Sequence, residues 1–124
     1  MAVRSSSYTI EIGDIQDIEL AQGEDREFRF AITVNGLPLD MTGATSCVMR
    51  ACNRSNKFLT FAIPYTGFID GDPTTGTPIF LIAQADTNGQ AANDYDWDLS
   101  WTDANLRKTQ LVAMSLLTMK ARFS

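Results

Sequence analysis

The sequence contains no histidine. Histidine has the unperturbed side-chain pKa nearest to neutrality and is the commonest metal ligand. Its absence excludes Ser-His-Asp and Cys-His activation of a nucleophile and every zinc site with an imidazole ligand. Carboxylate pairs, lysine or a bound cofactor would have to supply any catalysis, and each needs its own sequence signal. We therefore expect a binding or structural protein that is not an enzyme and that uses no cofactor.

Cysteine is also scarce, with Cys47 and Cys52 as the two residues of this type. No second Cys or His pair exists to complete a zinc site. Residues five apart on one strand point to opposite faces, so these thiols would not form a disulfide without a turn between them. We predict free, mostly buried thiols, which fits assembly in a reducing cytoplasm.

Long apolar runs and an excess of positive charge are missing as well. No run approaches the roughly 18–20 apolar residues that span a bilayer, so we expect no membrane partner. Ten basic residues against fifteen acidic ones give a net charge of −5. This balance argues against a nucleic-acid partner, because phosphate neutralisation needs clustered positive charge. With 44% hydrophobic residues among 124, the chain has enough apolar material for a single core.

Period-two alternation is the dominant pattern that the chain does contain. Residues 26–34 and 95–101 alternate apolar and polar side chains, which is typical of strands buried on one face. The hairpin-turn dipeptide Asn35-Gly36 follows the first of them. Weaker strand signals cover residues 8–12, 15–21, 45–51, 57–63 and 77–83. The predicted core comprises Phe28, Phe30, Ile32, Val34, Val48, Phe61, Tyr95, Trp97, Leu99 and Trp101.

Short strands separated by turn signals predict an all-β sandwich or a small barrel. Two segments are less regular. Residues 86–93 are small and polar, and we expect a loop with one helical turn capped by Asp86 or Thr87. Residues 111–121 are rich in Leu, Met and Ala, and their alternation slips between Leu116 and Leu117. We predict a strand with a β-bulge or two consecutive strands, with a C-terminal helix as the alternative.

Acidic and aromatic side chains along residues 94–101 offer two kinds of ligand site. Asp94, Asp96 and Asp98 share one strand face, where either a solvated polar surface or a calcium site is conceivable. Alternate strand residues lie roughly 6.5–7 Å apart and do not converge as calcium ligands do, so we favour the solvated surface. The aromatic residues of the same strand would form either a sugar-stacking platform or core, and the shared apolar face favours core.

The glycine-rich stretch 67–76 is the remaining candidate loop. It lacks both the phosphate-loop and the dinucleotide-binding patterns. We predict a mobile hairpin tip, with an ordered contact loop as the alternative.

Charge is distributed unevenly along the chain. Residues 11–27 carry seven acidic side chains against Arg26, and residues 104–124 carry four basic side chains and no acidic one. Either the terminal strands pair within one subunit, or opposed patches guide a head-to-tail contact between copies. The candidate interaction residues are Glu11, Asp14, Asp17, Glu19, Arg107, Lys108, Lys120 and Arg122.

Three stretches carry a resemblance to a known family. They are residues 18–25 leading into the Phe28 strand, residues 35–45 with the Asp40-Met41-Thr42-Gly43-Ala44 turn, and residues 85–99 with the Tyr95-Asp96-Trp97-Asp98-Leu99 strand. Their order resembles that of the immunoglobulin-like β-sandwich modules of tailed-bacteriophage virions, a type represented by the N-terminal domain of the phage baseplate upper protein. The resemblance spans roughly residues 15–123. Met41 stands where these modules usually have Leu, and Asn93-Asp94 where they usually have Gly.

The resemblance implies an immunoglobulin-like sandwich of about seven to eight short antiparallel strands over residues 15–124. Residues 1–14 would be an N-terminal extension, and we expect it to act as an arm that adds a strand to a neighbour's sheet. Such modules join virion components in many copies without catalysis. The implied partners are other virion structural proteins and further copies of the chain, and the implied location is the virion, assembled in the host cytoplasm.

Two other functions remain open at this point. A capsid decoration or cement protein would share the same kind of surface. A carbohydrate-binding module that contacts host glycans would belong to a different class.

Overall fold

The strands of the chain form two five-stranded sheets, and side chains alternate between the inward and the outward face along them. The computed structural model describes residues 4–121, and within them no helix is long and apolar enough to cross a membrane. The strands are β1 (Arg4–Glu11), β2 (Ile18–Ala21), β3 (Arg26–Val34), β4 (Leu37–Pro38), β5 (Ser46–Asn53), β6 (Leu59–Pro64), β7 (Gly67–Phe68), β8 (Pro78–Ile82), β9 (Asp94–Thr102) and β10 (Lys108–Lys120). The helical segments are two 3₁₀ turns, Ile69–Gly71 and Pro73–Thr75, and the short helix α1 (Gln84–Thr87).

The sheets confirm the predicted all-β sandwich but not a wholly antiparallel one. The first sheet has the order β1-β3-β8-β7, with β4 added to β3, and the second has the order β2-β10-β9-β5-β6. The pairs β1–β3 and β2–β10 are parallel, which corrects the prediction of antiparallel strands throughout. Side-chain alternation indicates which face of a strand is buried, and it carries no information about the direction of the neighbouring strand.

The predicted N-terminal extension forms a strand of this chain's own first sheet. Residues 4–11 form β1, which pairs with β3 along its whole length. Ile10 is 3% exposed and belongs to the core. The addition of this segment to a neighbour's sheet therefore stays a prediction, and in this structure the strand is paired within the chain.

The connection from β1 to β2 carries the chain from the first sheet to the second. The amide of Gly13 donates to the carbonyl of Leu111 (2.8 Å), and the amide of Gln16 donates to Ser115 Oγ (2.9 Å). The indole Nε1 of Trp97 donates to the carbonyl of Gln16 (2.8 Å). The connection is thus bound to two strands of the second sheet, which places β1 and β2 at the edges of different sheets.

The core confirms eight of the ten predicted residues and corrects two. Val34 is 37% exposed because it is the last residue of β3 before the hairpin turn, and Val48 is half-buried on the outer face of β5. The inward positions of β5 belong instead to Cys47, Met49 and Ala51. Buried residues that the alternation did not predict include Ile10, Ile18, Leu20, Met41, Phe80, Ile82, Leu111, Leu117 and Met119.

Aromatic rings connect the two sheets at the centre of the core. Phe28 and Phe30 stack at 5.7 Å between centroids, and Tyr8 stacks on Phe30 at 5.8 Å. Phe30 also stacks on Trp97 of the second sheet at 5.3 Å. Offset-stacked rings at these distances contribute about 0.5–1.5 kcal/mol per pair beyond their buried area.

The segment after residue 107 is one long strand, as the strand interpretation predicts, and the helix alternative is wrong. Register shifts between Gln110 and Val112 and between Val112 and Ser115 confirm an irregular ladder. They lie earlier than the slip expected between Leu116 and Leu117. Ser115 is buried, and its hydroxyl accepts a hydrogen bond from the amide of Gln16. A pattern based on hydrophobicity does not predict a buried serine.

The glycine-rich stretch 67–76 is not a free hairpin tip, which corrects the sequence prediction. The amide of Ile32 donates to the carbonyl of Gly76 (2.8 Å), and the amide of Met41 donates to the carbonyl of Pro73 (3.0 Å). Gly76 is buried with a φ of +65°. The stretch is therefore built into the sandwich end and packs on the connection between β4 and β5.

The predicted helical turn after β8 exists but begins earlier than expected. It is α1, and Asp86 lies inside it and accepts a hydrogen bond from the amide of Ala83 (2.8 Å). Thr87 is buried, and its hydroxyl accepts a hydrogen bond from the amide of Gly23 (2.9 Å). Neither residue therefore occupies the predicted position before the first turn.

Both cysteines are free, as predicted, and they differ in burial. Cys47 is 1% exposed, and burial raises the pKa of its thiol to about 12. Cys52 is half-buried on the same strand. The sandwich therefore encloses Cys47 as a small apolar side chain.

Replacing Gly76 by alanine should destabilise the protein more than the same change at Gly36. Both glycines have positive φ, which costs about 1–2 kcal/mol for an L-residue. A Cβ at Gly76 would also lie 2.7 Å from the Leu39 carbonyl oxygen, whereas a Cβ at Gly36 meets nothing within 4 Å. We expect a further loss of roughly 1–3 kcal/mol for Gly76→Ala. Urea unfolding of both variants checks this, and equal losses would contradict it.

Alkylation should distinguish the two thiols in the native protein. Since the thiolate is the reactive form, the raised pKa and burial of Cys47 predict that iodoacetamide modifies Cys52 first. Cys47 should react at a comparable rate only after unfolding in urea. Peptide mass spectrometry after a short labelling pulse measures both sites, and rapid native labelling of Cys47 would refute the buried position.

Candidate functional site: the open side and the outer faces of the sandwich

One side of the sandwich carries the edge strands β1 and β2, and a polar groove lies between them. Two adjoining concavities of about 260 and 300 Å³ form this groove and share Glu19 and Arg26. The remaining lining residues are Arg4, Tyr8, Asp17, Ile18, Leu20, Ala21, Thr118, Lys120 and Ala121. Charged side chains of both signs therefore face the groove.

Arg26 is held in one position at the base of this groove. Its Nη2 and Nε donate to Ser6 Oγ at 2.7 and 3.2 Å, and its Nη1 lies 3.0 Å from the Glu24 carboxylate. The guanidinium also lies 5.7 Å from the centroid of the Phe28 ring. Arg26 thus connects β1, the β2–β3 turn and the aromatic core. Its contacts within the chain give it a structural role.

The carboxylate of Glu24 forms ion pairs with two arginines. Arg4 Nη1 lies 3.0 Å from one carboxylate oxygen and Arg26 Nη1 lies 3.0 Å from the other. Burial raises the pKa of Glu24, but the hydrogen bond and charge of Arg26, with a smaller effect of Arg4, outweigh it and hold the pKa below its ordinary value. The carboxylate is therefore ionised at neutral pH and stabilises the start of β1.

Glu19 and Lys120 are the predicted interaction residues that the structure brings together. Their side chains form an ion pair of 3.1 Å across the β2–β10 pairing, and both are more than half exposed. An exposed pair of this kind contributes little to stability. The structure therefore places Glu19 and Lys120 on strands that pair within one subunit, which is the first of the two interpretations.

Glu11 serves the β3–β4 hairpin. Its carboxylate accepts hydrogen bonds from Thr33 Oγ1 (2.6 Å), from the amide of Asn35 and from the amide of Gly36 (3.3 Å). The hydrogen bond from Thr33 is the largest influence and lowers the pKa of Glu11, with the two amides acting in the same direction. This acidic side chain is thus a turn-capping group in the isolated chain.

The other predicted interaction residues lie apart from one another. Asp14 and Asp17 bind the irregular part of β10, the first through its carbonyl oxygen and the second through its carboxylate. Lys108 is the first residue of β10 and Arg107 precedes it, about 40 Å from the end of the strand at 3.3 Å per residue. Arg122 lies outside the described residues. The seven residues that the structure describes do not form a single patch, and a contact between copies through the predicted set stays a prediction.

Asp96 and Asp98 correct the prediction of a solvated acidic face. They are 8% and 9% exposed on the outer face of the second sheet. Arg54 Nε and Lys57 Nζ each lie 3.1 Å from Asp96, and Arg50 Nε lies 3.6 Å from Asp98. Because β9 is central in this sheet, long side chains from neighbouring segments extend over it and cover the carboxylates. Across residues 4–121, no group of three or more His, Cys, Asp or Glu is placed to hold a metal ion.

The aromatic side chains of β9 face the core. Tyr95, Trp97 and Trp101 are 2%, 1% and 9% exposed. Core packing, the favoured interpretation, is confirmed for them. A sugar-stacking platform made from these three residues is wrong, because a sugar ring cannot reach an aromatic face that is already packed.

Sequence reasoning missed the arginines and lysine that organise the surface: Arg4, Arg26, Arg50, Arg54 and Lys57. Alternation indicates that Arg50 points away from the core, since Met49 and Ala51 beside it point inward. It does not indicate that Asp98 lies opposite Arg50 on the neighbouring strand, because that pairing depends on the register between β5 and β9. A register can be assigned only when both strands and their order are known.

Replacing Glu24 by glutamine should lower the free energy of unfolding at pH 7 by about 1–2 kcal/mol, since charged hydrogen bonds are lost. A lowered pKa contributes stability above the ordinary value of 4.5, and this contribution disappears as the pH falls through the lowered pKa. The wild type and the variant should therefore converge in acid. Urea titrations at several pH values test this, with Glu19→Gln as the exposed control that should change little. A constant difference at all pH values would contradict the assignment.

Comparisons with known proteins support a fold assignment. No protein-family model matches the sequence, and no curated protein matches it. Among solved structures, the chain is similar to the N-terminal domain of phage TP901-1 ORF48, with a TM-score of 0.62 and 12% identity over 98% of this chain and 100% of that one. The alignment therefore includes most of residues 1–14, which the sequence resemblance left out. The predicted resemblance to phage modules is confirmed at the level of fold, and the chain is a β-sandwich with the fold of this phage domain.

Proposed function

We propose that this protein is a non-enzymatic structural component of a bacteriophage particle that joins other components in the tail or baseplate. The observation that carries the proposal is the end-to-end similarity to the N-terminal domain of a phage protein, which covers 98% of this chain and 100% of the other. A similarity of this extent involves the complete domain and not a shared hairpin or sheet.

The topology supports the immunoglobulin-like description of this module. In such domains the strands A, B, E and D form one sheet, and C, F and G form the other. The first sheet here has β1, β3, β8 and β7 in the corresponding order, and β5, β9 and β10 are adjacent in the second. The parallel pairing of β1 with β3 departs from the usual antiparallel arrangement.

The burial and ion pairing of the cysteine and carboxylate side chains support a role without catalysis. Cys47 is enclosed with a raised pKa, which disfavours the nucleophilic thiolate. Asp96 and Asp98 are held by basic side chains, and Glu24 is held by two arginines. These carboxylates are therefore engaged in ion pairs with side chains of strands and turns, which supports a structural role for them.

The experiment that tests the proposal is a protein inventory of purified phage particles. Mass spectrometry should find the chain at a fixed ratio to the major tail proteins, and labelled antibodies should bind at the tail or baseplate in electron micrographs. Labelling over the head would instead indicate a capsid decoration or cement protein. Absence from washed particles would overturn the structural role altogether.

A further inference from the structure

The edges of the two sheets differ in how well they are protected. In the described part of the chain, β7 has two residues, β2 has four, and β6 ends at Pro64. β1 has eight residues, and its pairing with β3 runs without a register shift. It contains neither proline nor lysine, and its charged residues lie at its two ends. Edge strands are usually blunted by short length, proline, lysine or bulges, and β1 has none of these devices.

The hydrogen-bonding phase of β1 shows which backbone groups are available. The amide of Ile12, just beyond the strand, donates to the carbonyl of Thr33 (2.8 Å). In a parallel pair, alternate residues bond to the neighbour, so the even-numbered residues of β1 face β3. The amides and carbonyls of Ser5, Ser7 and Thr9 therefore point to the free edge. Their side chains are exposed on the outer face.

We propose that β1 pairs antiparallel with β1 of a second copy of this chain, so that the two first sheets become one continuous sheet. A two-fold axis perpendicular to the sheet keeps both cores on the same side, and odd-numbered residues then oppose odd-numbered residues. In the central register, Ser7 lies opposite Ser7 of the second copy, and Ser5 lies opposite its Thr9. Cross-strand pairs of small hydroxyl side chains are favourable.

Charge and symmetry favour a second copy as the occupant. In this register, Arg4 lies opposite Ile10 of the second copy, so no like charges oppose each other between residues 4 and 10. An isologous contact also closes on itself, because each copy uses its β1 edge, and the other edge strands within residues 4–121 are shorter. This inference deepens the proposed assembly role by naming a partner surface, and its failure can be told apart from failure of that role.

The first test uses a cysteine at the two-fold axis. Residues that form a hydrogen-bonded antiparallel pair have Cα atoms about 5.5 Å apart, a separation that a disulfide spans. Ser7→Cys in a Cys52→Ser background should therefore form a disulfide-linked dimer on mild oxidation. Ser55→Cys in the same background is the matched control, because it lies in the exposed turn after β5, and it should remain unlinked. Equal cross-linking of the two variants would overturn the proposal.

The second test adds a like-charge pair. Ser7→Lys places two ammonium groups opposite each other and should weaken dimerisation by roughly tenfold or more, as measured by light scattering across a concentration series. Ser55→Lys carries the same charge change and should leave the dimer intact, and circular dichroism verifies that both variants fold. A monomeric wild type, or a dimer indifferent to Ser7→Lys, would overturn the pairing.

The virion inventory keeps the two proposals separate. A chain found in particles but monomeric in solution would retain the structural role and refute the β1 pairing. If Ser7→Lys, but not Ser55→Lys, were lost from particles while the wild type stayed monomeric, the occupant of the edge would be a strand of another protein and not a second copy. A dimeric chain that is absent from particles would retain the pairing and refute the structural role.

Discussion

The hydrogen bond from the indole of Trp97 to the carbonyl of Gln16 (2.8 Å) anchors the segment on which the arrangement of the sandwich depends. This segment takes the chain from the first sheet to the second, and it precedes the β3–β4 hairpin in the sequence. Trp97 also stacks on Phe30 of the first sheet, so one side chain connects the core, the crossing segment and both sheets. β1 and β2 flank this crossing as edge strands of different sheets, β1 parallel to β3 and β2 parallel to β10, and the groove lies between them.

Several acidic side chains on the surface form ion pairs with basic side chains and are not fully solvated. Asp96 and Asp98 are covered by basic side chains, and Glu24 joins two arginines beside the groove. Exposed salt bridges contribute little to stability, whereas the partly buried pair of Glu24 with Arg26 also holds the β2–β3 turn against β1. A surface on which charged side chains are paired would suit the assembly role that we propose for this chain.

The strands most accurately predicted are those with the clearest alternation of apolar and polar side chains. In β3 the alternation of Phe28, Phe30 and Ile32 against polar neighbours gives both the strand and its inward face. The prediction fails where the local pattern has two equivalent solutions, as at Val48, where both faces of β5 carry small or apolar residues. It also fails at Asp98, because burial of a carboxylate depends on long side chains supplied by strands distant in the sequence.

The order of turns and alternating segments by itself determined the all-β class, the Asn35-Gly36 hairpin and most of the core, because backbone preferences and side-chain periodicity are local properties. The directions of β1 and β2, the contact of Glu19 with Lys120, the enclosure of the 67–76 stretch and the position of the unprotected edge were decided by tertiary structure. Each of these depends on which strands become neighbours, and that choice is made by packing two faces together over the whole chain.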